Sequence, residues 1–385
     1  MLTPAQSRAL AEAAPDAART VFAPYRICLV GAHIDHQGGT VTGFAIGRGL
    51  ALAYSPAASD TVHVTDAITD ETVEIADGRV IDRADGEHDW TPFVRGAATL
   101  TAPRARGLKG ALAGSLPSGG LSSSAALSVA LLSALADTDE TSIDHDDLAR
   151  LAQRVENEFV GVNCGLMDPT VILHARRDHL VALDCSTEEV QVIAGPPAAL
   201  IAVYSGLPRS LKSTGFNSRT EECREAAIEV SRRGGIEPPA ERLGDLPRGV
   251  LEAHAPDLPP MLSRRARHYL GESARVEQAI DCWRAGDLAG FGRCASESLQ
   301  SSVELYETGS PEQTVLAEMM RDTPGVHGAR FCGGGFGGFV AGICDPDAAS
   351  DALDQVVARY RETYREHADR SFGILSRPSD GRRWL

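Results

Sequence analysis

The stretch LPSGGLSSSAA, residues 116–126, joins a glycine turn to an apolar segment, residues 122–136, that reads SSSAALSVALLSALA. Alanine and leucine favour a helix there, the serines are able to cap its start, and its apolar surround predicts that it is buried. Glycines let a backbone approach a ligand closely, and a helix N-terminus presents free amide hydrogens and a partial positive charge. The stretch therefore predicts an anion site, with phosphate as the natural anion.

This glycine-serine motif matches neither of two common nucleotide motifs. No Gly-Lys-Ser/Thr follows, as a Walker motif requires, and no G-x-G-x-x-G opens a helix after a strand. The three consecutive serines, residues 122–124, add hydroxyls that can bind phosphate or ligate magnesium. An ordinary glycine turn with a serine cap is the alternative interpretation.

Two further motifs place polar groups beside glycines. Residues 25–39, YRICLVGAHIDHQGG, carry Arg26 on a strand and then His33, Asp35 and His36 within four residues, which favours a small polar ligand held by several hydrogen bonds. Residues 156–169, ENEFVGVNCGLMDP, place Asp168 in an otherwise apolar stretch, where a carboxylate is a candidate general base. The alternatives are a solvated loop for the first motif and a helix-capping role for Asp168.

The composition excludes several classes of protein. The chain has 385 residues with 37 basic and 53 acidic side chains, a formal charge of −16, and only two of the basic residues are lysines. A chain this acidic is a poor candidate for binding nucleic acid or an anionic membrane surface. Its longest apolar stretch, residues 125–136, is too short to span a bilayer, and no secretory signal is visible. Eight scattered cysteines without a Cys-x-x-Cys pair predict reduced thiols in a cytoplasmic protein.

The length and the order of the predicted elements indicate a two-domain α+β protein. Pro196 and Pro197 mark the predicted boundary, so the predicted domains are residues 1–195 and 196–385. Strands are predicted at residues 25–30, 50–54, 62–64, 72–75, 108–113, 179–183, 200–204, 329–332 and 339–343. Helices are predicted at residues 91–100, 122–136, 144–158, 166–177, 218–232, 263–285, 311–321 and 346–365.

Together with residues 328–343, GARFCGGGFGGFVAGI, these motifs make the chain resemble the GHMP kinases, the family of galactokinase, homoserine kinase, mevalonate kinase and phosphomevalonate kinase. The resemblance covers four motifs in the family's order. Within the family, residues 24–39, 205–227 and 325–331 are most similar to the galacturonokinases of plants. The resemblance implies a two-domain GHMP kinase fold, with an N-terminal ribosomal-protein-S5-like domain and a C-terminal ferredoxin-like α/β domain. It also implies an ATP-dependent sugar 1-kinase that uses Mg²⁺.

The same resemblance implies roles for individual residues. Asp168 would take the proton from the anomeric hydroxyl, and Arg26 would orient that hydroxyl and stabilise the transferring phosphoryl group. The implied magnesium ligands are Ser124 and Glu156. The implied sugar-binding residues are Ala32, His33, Asp35, His36, Gly165 and Phe216. The implied ATP-binding residues are Pro117, Gly119, Gly120, Leu121, Ser122, Ser123 and Ser124, with Gly333, Gly334 and Gly335 packed beside that loop.

The sequence departs from the galactokinase pattern at three places. Ala32 stands where galactokinases have a glutamate that binds the hydroxyl on carbon 6, the phosphate loop is one residue shorter, and Phe216 replaces a tyrosine. A uronic acid carries a carboxylate on carbon 6, and two carboxylates at ~4 Å repel by about 4 kcal/mol at an effective dielectric of 20. Because Ala32 removes that repulsion, it favours an acidic sugar.

The sequence therefore predicts a kinase that converts D-galacturonate and ATP to galacturonate 1-phosphate and ADP. The cation that faces the substrate carboxylate is left open among Arg209, Lys212, Arg219 and His36. The alternatives are a galactokinase or broad-specificity sugar 1-kinase, and a galactokinase-like sensor that binds sugar and ATP without catalysis. The predicted partners are a small sugar acid and ATP, and the sequence does not indicate an oligomeric state.

Overall fold

The computed structural model describes residues 1–76, 79–80, 89–114, 116, 120–208 and 215–385, without the side chains of Arg79, Val80 and Phe216. Helices and strands mix along these residues, which confirms the α+β class. The helices are α1 (Pro4–Ala13), α2 (Thr91–Leu100), α3 (Ser123–Thr138), α4 (His145–Arg154), α5 (Met167–His174), α6 (Phe216–Gly234), α7 (Arg248–His254), α8 (Pro260–Ala285), α9 (Leu288–Glu304), α10 (Pro311–Arg321) and α11 (Ala349–Thr363). The strands are β1 (Arg19–Ile27), β2 (Thr40–Pro56), β3 (Val62–Asp66), β4 (Thr72–Ala76), β5 (Arg79–Val80), β6 (Leu108–Gly114), β7 (His179–Asp184), β8 (Val190–Ala194), β9 (Ala199–Tyr204), β10 (Val326–Phe331), β11 (Phe339–Cys344), β12 (Phe372–Ser376) and β13 (Arg383–Trp384).

The larger sheet of the described residues has the strand order β13-β1-β2-β6-β3-β4-β5, and β7 and β8 extend it from the start of β2. Strand β2 pairs with β7 over residues 40–43 and with β6 over residues 50–56. Gly49 permits the close approach of β2 to β1, because a Cβ atom there would lie 2.2 Å from the Ala23 carbonyl oxygen. Between its two pairings β2 runs past Arg26, near the end of β1.

Helix α3 is the buried helix that the sequence predicts. It packs against β1, β2 and the helices α2, α4 and α5, and every residue from 125 to 136 is buried. Its leucines and alanines make it apolar on every side. Burial of each leucine side chain stabilises the fold by about 2 kcal/mol. This packing fixes the direction of α3 and therefore the position of its N-terminus, at the end of the glycine-serine motif.

The smaller sheet, in the order β10-β11-β9-β12, is antiparallel throughout the described residues. Helices α9, α10 and α11 pack on it and bury apolar side chains such as Phe331, Val340 and Val356. The turn between β10 and β11 lies within residues 328–343, the third glycine-rich motif after residues 25–39 and 116–126. The fold thus places this motif and the glycine-serine motif at the ends of elements from different sheets.

The chain passes from the larger to the smaller sheet between β8 and β9, near the predicted domain boundary. Core contacts cross that point, since the rings of Trp283 and Phe291 lie 5.0 and 5.9 Å from the ring of Phe44 on β2. Strand β13 also returns to pair with β1. The division into residues 1–195 and 196–385 stays a prediction.

Several elements differ from their predicted bounds. The helix predicted at 144–158 ends at Arg154 and continues as a π-helical turn over Val155–Val160, and the helix predicted at 166–177 spans only Met167–His174. Elements α1, α7, α9, β5, β8, β12 and β13 were not predicted. The eight cysteines are free thiols, as predicted. No helix within the described ranges combines the length and the apolar character needed to cross a bilayer.

Candidate active site

Arg26 and Asp168 form the centre of the site. Arg26 lies near the end of β1 with a side chain that is 5% exposed, and its guanidinium donates from Nε to Asp168 Oδ1 at 2.6 Å and from Nη2 to Oδ2 at 2.7 Å. Its Nη1 donates to the Gly120 carbonyl oxygen at 2.6 Å. Such two-point pairing fixes the carboxylate in orientation as well as position. The Asp168 side chain stays 27% exposed, so its partners do not enclose it completely.

Ser122 joins the glycine-serine motif to the same carboxylate. It is the N-cap residue of α3 in a left-handed conformation, with φ 64° and ψ 42°, and it makes no side-chain cap hydrogen bond. Its hydroxyl instead donates to Asp168 Oδ2 through a short contact. The predicted serine cap is therefore wrong for Ser122. The alternative in which Asp168 caps its own helix is also wrong, because Leu166 is the N-cap residue of α5 and no side chain caps it.

Ser124 and Glu156, the implied magnesium ligands, contact each other. The Ser124 hydroxyl hydrogen-bonds the Glu156 carboxylate, which lies in the π-helical turn and is 5% exposed. Burial, followed by the negative charge of Asp168, raises the pKa of Glu156 to about 7, against the opposing effects of Ser124, Cys164 and Arg26. A buried carboxylate beside a second carboxylate and a hydroxyl is an all-oxygen donor set of the kind Mg²⁺ prefers. These residues therefore fit the ion.

The loop after β1 turns sharply at two residues with positive φ. Gly31 has φ 96° and His33 has φ 66°, a conformation that a side chain rarely adopts. The His33 ring stacks on Tyr306, with centroids 4.5 Å apart and planes 7° from parallel, and its Nε2 lies 3.5 Å from Thr308 Oγ1. His33 is buried in this position. The loop is therefore an ordered part of the molecule, which argues against the solvated-loop interpretation.

Asp35 connects this loop to the motif of residues 156–169. A Cβ atom on Gly165 would lie 2.3 Å from Asp35 Oδ2, so only glycine leaves room for the carboxylate there. His36 Nδ1 lies 3.2 Å from Asp35 Oδ1, and His36 Nε2 lies 3.3 Å from the Tyr306 hydroxyl. Burial opposes a charge on His36, but Asp35 and the Cys223 sulfur outweigh it and raise the pKa of His36 to about 9. The pKa of Asp35 is lowered, because the contacts with His36 outweigh burial.

The third glycine-rich motif turns tightly between β10 and β11. Gly333 and Gly335 have φ 65° and 79°, and a Cβ atom on Gly335 would lie 2.6 Å from the Gly309 backbone nitrogen. The buried amide of Gln313 donates to the Gly337 carbonyl oxygen at 2.7 Å and accepts from the Gly337 amide at 2.9 Å. These contacts hold the turn in one shape. That Gly333, Gly334 and Gly335 pack beside the phosphate loop stays a prediction.

Some predicted residues lie outside the described part of the chain, namely Pro117, Gly119, Arg209, Lys212 and the side chain of Phe216. Of the candidate cations for the sugar carboxylate, His36 and Arg219 are described. Arg219 donates to Glu222 at 2.7 Å, and His36 pairs with Asp35. No sequence pattern points to Tyr306, whose ring stacks on His33 and whose hydroxyl contacts His36, because a single tyrosine after an unpredicted helix gives no local signal.

Comparison with known proteins shows that three family descriptions match parts of this chain. The description "GHMP kinases N terminal domain" matches residues 92–176, "GHMP kinases C terminal" matches residues 277–362, and "Galactokinase galactose-binding signature" matches residues 10–56. The four motifs of the site, residues 25–39, 116–126, 156–169 and 328–343, thus all lie within the matched regions.

Two relatives and two solved structures cover most of the chain. The galacturonokinase of Arabidopsis thaliana is 34% identical over 91% of this chain and 89% of its own, and the galactokinase of Roseiflexus sp. is 32% identical over 89% and 87%. The crystal structure of Lactococcus lactis galactokinase complexed with galactose superposes with a TM-score of 0.86 at 25% identity, covering 99% of both chains. A mevalonate kinase structure shares the fold, with a TM-score of 0.61 at 13% identity over 94% of this chain and 99% of its own. The protein belongs to the GHMP kinases and is an ATP-dependent sugar kinase of the galactokinase and galacturonokinase type.

Proposed function

We propose that the protein transfers the terminal phosphoryl group of ATP to the anomeric hydroxyl of D-galacturonate, giving galacturonate 1-phosphate and ADP. The observation that carries this proposal is Ala32, a small, buried, apolar residue where the galactokinase pattern has a glutamate, in a chain whose Arg26, Ser122 and Asp168 side chains meet in one site. Galacturonate differs from galactose by a carboxylate on carbon 6. A glutamate at position 32 would repel that carboxylate by about 4 kcal/mol at ~4 Å and an effective dielectric of 20.

The chemistry that we propose starts at Asp168. Its carboxylate, oriented by Arg26 and Ser122, accepts the proton of the anomeric hydroxyl as the oxygen attacks the phosphorus. Arg26 keeps its positive charge between Asp168 and the Gly120 carbonyl, where it stabilises the charge on the transferring group. Phosphoryl transfer depends mainly on positioning and charge, so this small set of groups is sufficient.

ATP is proposed to bind through the glycine-serine motif and the third glycine-rich motif. The N-terminus of α3 at Ser122 presents its amides and the positive end of the helix dipole to the phosphates. Ser124 and Glu156 would hold Mg²⁺, which when bound neutralises phosphate oxygens. The proposed ATP-binding residues are Gly120, Leu121, Ser122, Ser123, Ser124, Gly333, Gly334 and Gly335, with Pro117 and Gly119 outside the described residues.

The sugar is proposed to lie against His33, Asp35 and Gly165. A lone Asp35 would repel a uronate, but the charge on His36 next to it makes the pair neutral. Of the described candidate cations, His36 is therefore the one that we propose lowers the electrostatic cost of an acidic sugar. Arg219 already pairs with Glu222, which pairs in turn with the buried Arg265.

The experiment that tests the proposal is an ADP-release assay with galacturonate, glucuronate, galactose and mevalonate at matched concentrations. We expect galacturonate to have the highest kcat/KM. Galactose turning over far better than either uronate would instead support a galactokinase, which the galactokinase relatives and the galactose-bound structure favour. A wild type that binds sugar and ATP but releases no ADP would support the non-catalytic sensor.

The two-domain division and the cytoplasmic location are part of the same proposal. The change of sheet between Ala194 and Ala199 supports the first, and the eight free thiols support the second. Limited proteolysis is expected to cut first near residues 195–198 if the two parts are separate domains.

A further inference from the structure

Two buried side chains of α8 contact the backbone of Ala32, one at its amide and the other at its carbonyl oxygen. Glu272 Oε1 accepts from the Ala32 amide at 3.2 Å and from the Gly31 amide at 2.8 Å. His268, one helical turn earlier, has its Nε2 3.1 Å from the Ala32 carbonyl oxygen. Both side chains are fully or almost fully buried. The backbone of the residue that distinguishes this chain from galactokinases is therefore fixed by a helix some 240 positions later.

The hydrogen bonds determine how the His268 ring is protonated. A carbonyl oxygen only accepts, so Nε2 must carry the hydrogen that points at Ala32. In a neutral ring Nδ1 then accepts, and the Ser301 hydroxyl lies 2.8 Å from it. Burial lowers the pKa of His268 to about 4, so the ring is neutral at physiological pH. Donor and acceptor thus match at both ends of the imidazole.

Glu272 keeps its charge although it is buried. Its Oε2 accepts from Arg275 Nε at 2.8 Å, and its Oε1 accepts from the Ser298 hydroxyl, which also accepts from Arg330 on β10 at 2.6 Å. Burial would raise the pKa of Glu272, but the positive charges of Arg275 and Arg330 and the hydrogen bond from Ser298 outweigh it and lower that pKa. The carboxylate is a fixed point that links α8, α9 and β10 to the loop.

The loop needs such support because of its backbone. Gly31 and His33, on either side of Ala32, both have positive φ, and a non-glycine residue in this region persists only where its surroundings enforce it. His33 and Asp35 follow directly, so a shift of the Ala32 peptide would displace the groups that are proposed to contact the sugar. ATP is proposed to bind at the N-terminus of α3, a different element from this loop.

We propose that His268 and Glu272 are positioning residues that fix the peptide of residue 32 and thereby set the affinity for the sugar while leaving the affinity for ATP unchanged. This inference rests on the proposed sugar-kinase function but not on the choice of galacturonate. It assigns a specific task in sugar binding to two side chains of the C-terminal half of the chain.

The test compares His268→Leu with His268→Gln, whose amide can donate and accept much as the ring does. Kinetics are measured with the sugar that the wild type phosphorylates best. If that sugar is not galacturonate, the wild-type assay alone shows it, and the comparison of the variants stays valid. We expect His268→Leu to raise the KM for sugar roughly ten-fold and the KM for ATP less than about two-fold, because a buried carbonyl loses its partner. His268→Gln should restore the KM for sugar to within about three-fold of the wild type.

Trp283→Phe on the same helix is the matched control. It removes a buried ring N–H that donates to the Ile193 carbonyl oxygen at 3.0 Å, far along α8 from the loop. Ser301→Ala, which removes the partner of His268 Nδ1 and is a milder change, keeps the test valid if His268→Leu does not fold. It should raise the KM for sugar about two- to three-fold.

The proposal is overturned if His268→Leu leaves the KM for sugar unchanged, raises both KM values equally, or behaves like Trp283→Phe. If the wild type turns over no sugar, the proposed function fails, and the same variants are compared by the calorimetric dissociation constant for whichever of galacturonate, glucuronate and galactose the wild type binds most tightly. Absence of binding of all three sugars would overturn this inference as well.

Discussion

Asp168 and Arg26, 142 positions apart in sequence, meet in a two-point ion pair with N–O distances of 2.6 and 2.7 Å. Because Ser122 also donates to this carboxylate, the proposed base is held by the first strand and by the start of α3. The pair joins the motif of residues 25–39 to the motif of residues 156–169, and the contacts of Gly120 and Ser122 add the glycine-serine motif.

Asp168→Asn removes the proton acceptor and keeps the shape of the side chain. We expect kcat to fall about 10³-fold, within the usual range for loss of a general base, because an amide does not take a proton. The affinity for ATP, measured by calorimetry, should stay within about two-fold, since the phosphates are proposed to bind at α3. The control is Asp137→Asn at the other end of α3, where the carboxylate accepts from Tyr54. Activity above a tenth of the wild type in Asp168→Asn would contradict the assignment.

Glu156→Gln tests the proposed magnesium site. The amide can still accept from Ser124 but carries no charge, so we expect the Mg²⁺ concentration for half-maximal rate to rise about ten-fold or more. The KM for sugar should change little. Glu158→Gln, an exposed position of the same turn that pairs with Arg154, is the control. An unaltered magnesium dependence in Glu156→Gln would remove this residue from the site.

Ala32→Glu tests the basis of sugar choice. A repulsion of about 4 kcal/mol, partly relieved by relaxation, should lower kcat/KM for galacturonate about 100-fold. Ala32→Gln has nearly the same size without the charge and should lower it much less. Galactose kinetics in both variants show whether size or charge decides. Equal losses in the two variants would rule out the electrostatic explanation.

His36→Gln tests the buried ion pair. The pKa of His36 in the folded protein, about 9, lies above its ordinary value of 6.5, so protonation stabilises the fold fully below pH 6.5. This stabilisation is lost as the pH rises through 9. We expect the melting temperatures of the wild type and His36→Gln to differ most near pH 6 and to converge towards pH 9.5. The partly exposed pair of His63 with Glu74 supplies the control, His63→Gln. A gap that stays constant with pH would show that His36 is not charged.

Local patterns predicted the helices around the site well. The apolar run of α3 and the bounds of α2 and α10 needed no knowledge of distant residues, because composition decides the first and a proline in the first turn marks the start of the other two. Helix α9 was missed because its sequence, LAGFGRCASESLQSSVE, contains two glycines and several serines that disfavour a helix. Its packing against α8 and β10 outweighs that preference.

The site could be predicted only where one motif carried its own chemistry. Asp168 and Arg26 each stood out within a short stretch, Glu156 was implied by the family resemblance, and the structure brings the three together. Glu272 gave no such signal, since a glutamate three positions before an arginine is typical of an exposed helix face. Its burial depends on contacts with the loop and with α9, which a single helix pattern does not contain.

The bonds from Gly31 and Ala32 to Glu272 also determine when the sugar site can form during synthesis. These partners are 241 and 240 positions apart, so at 5–20 residues per second roughly 12 to 50 s pass between making the loop and making its acceptor. The early strands can pair during that interval, but the loop between them lacks the contacts that fix its peptide. A nascent chain that has already formed α3, where the phosphates are proposed to bind, would therefore lack the proposed sugar site until α8 has emerged and docked.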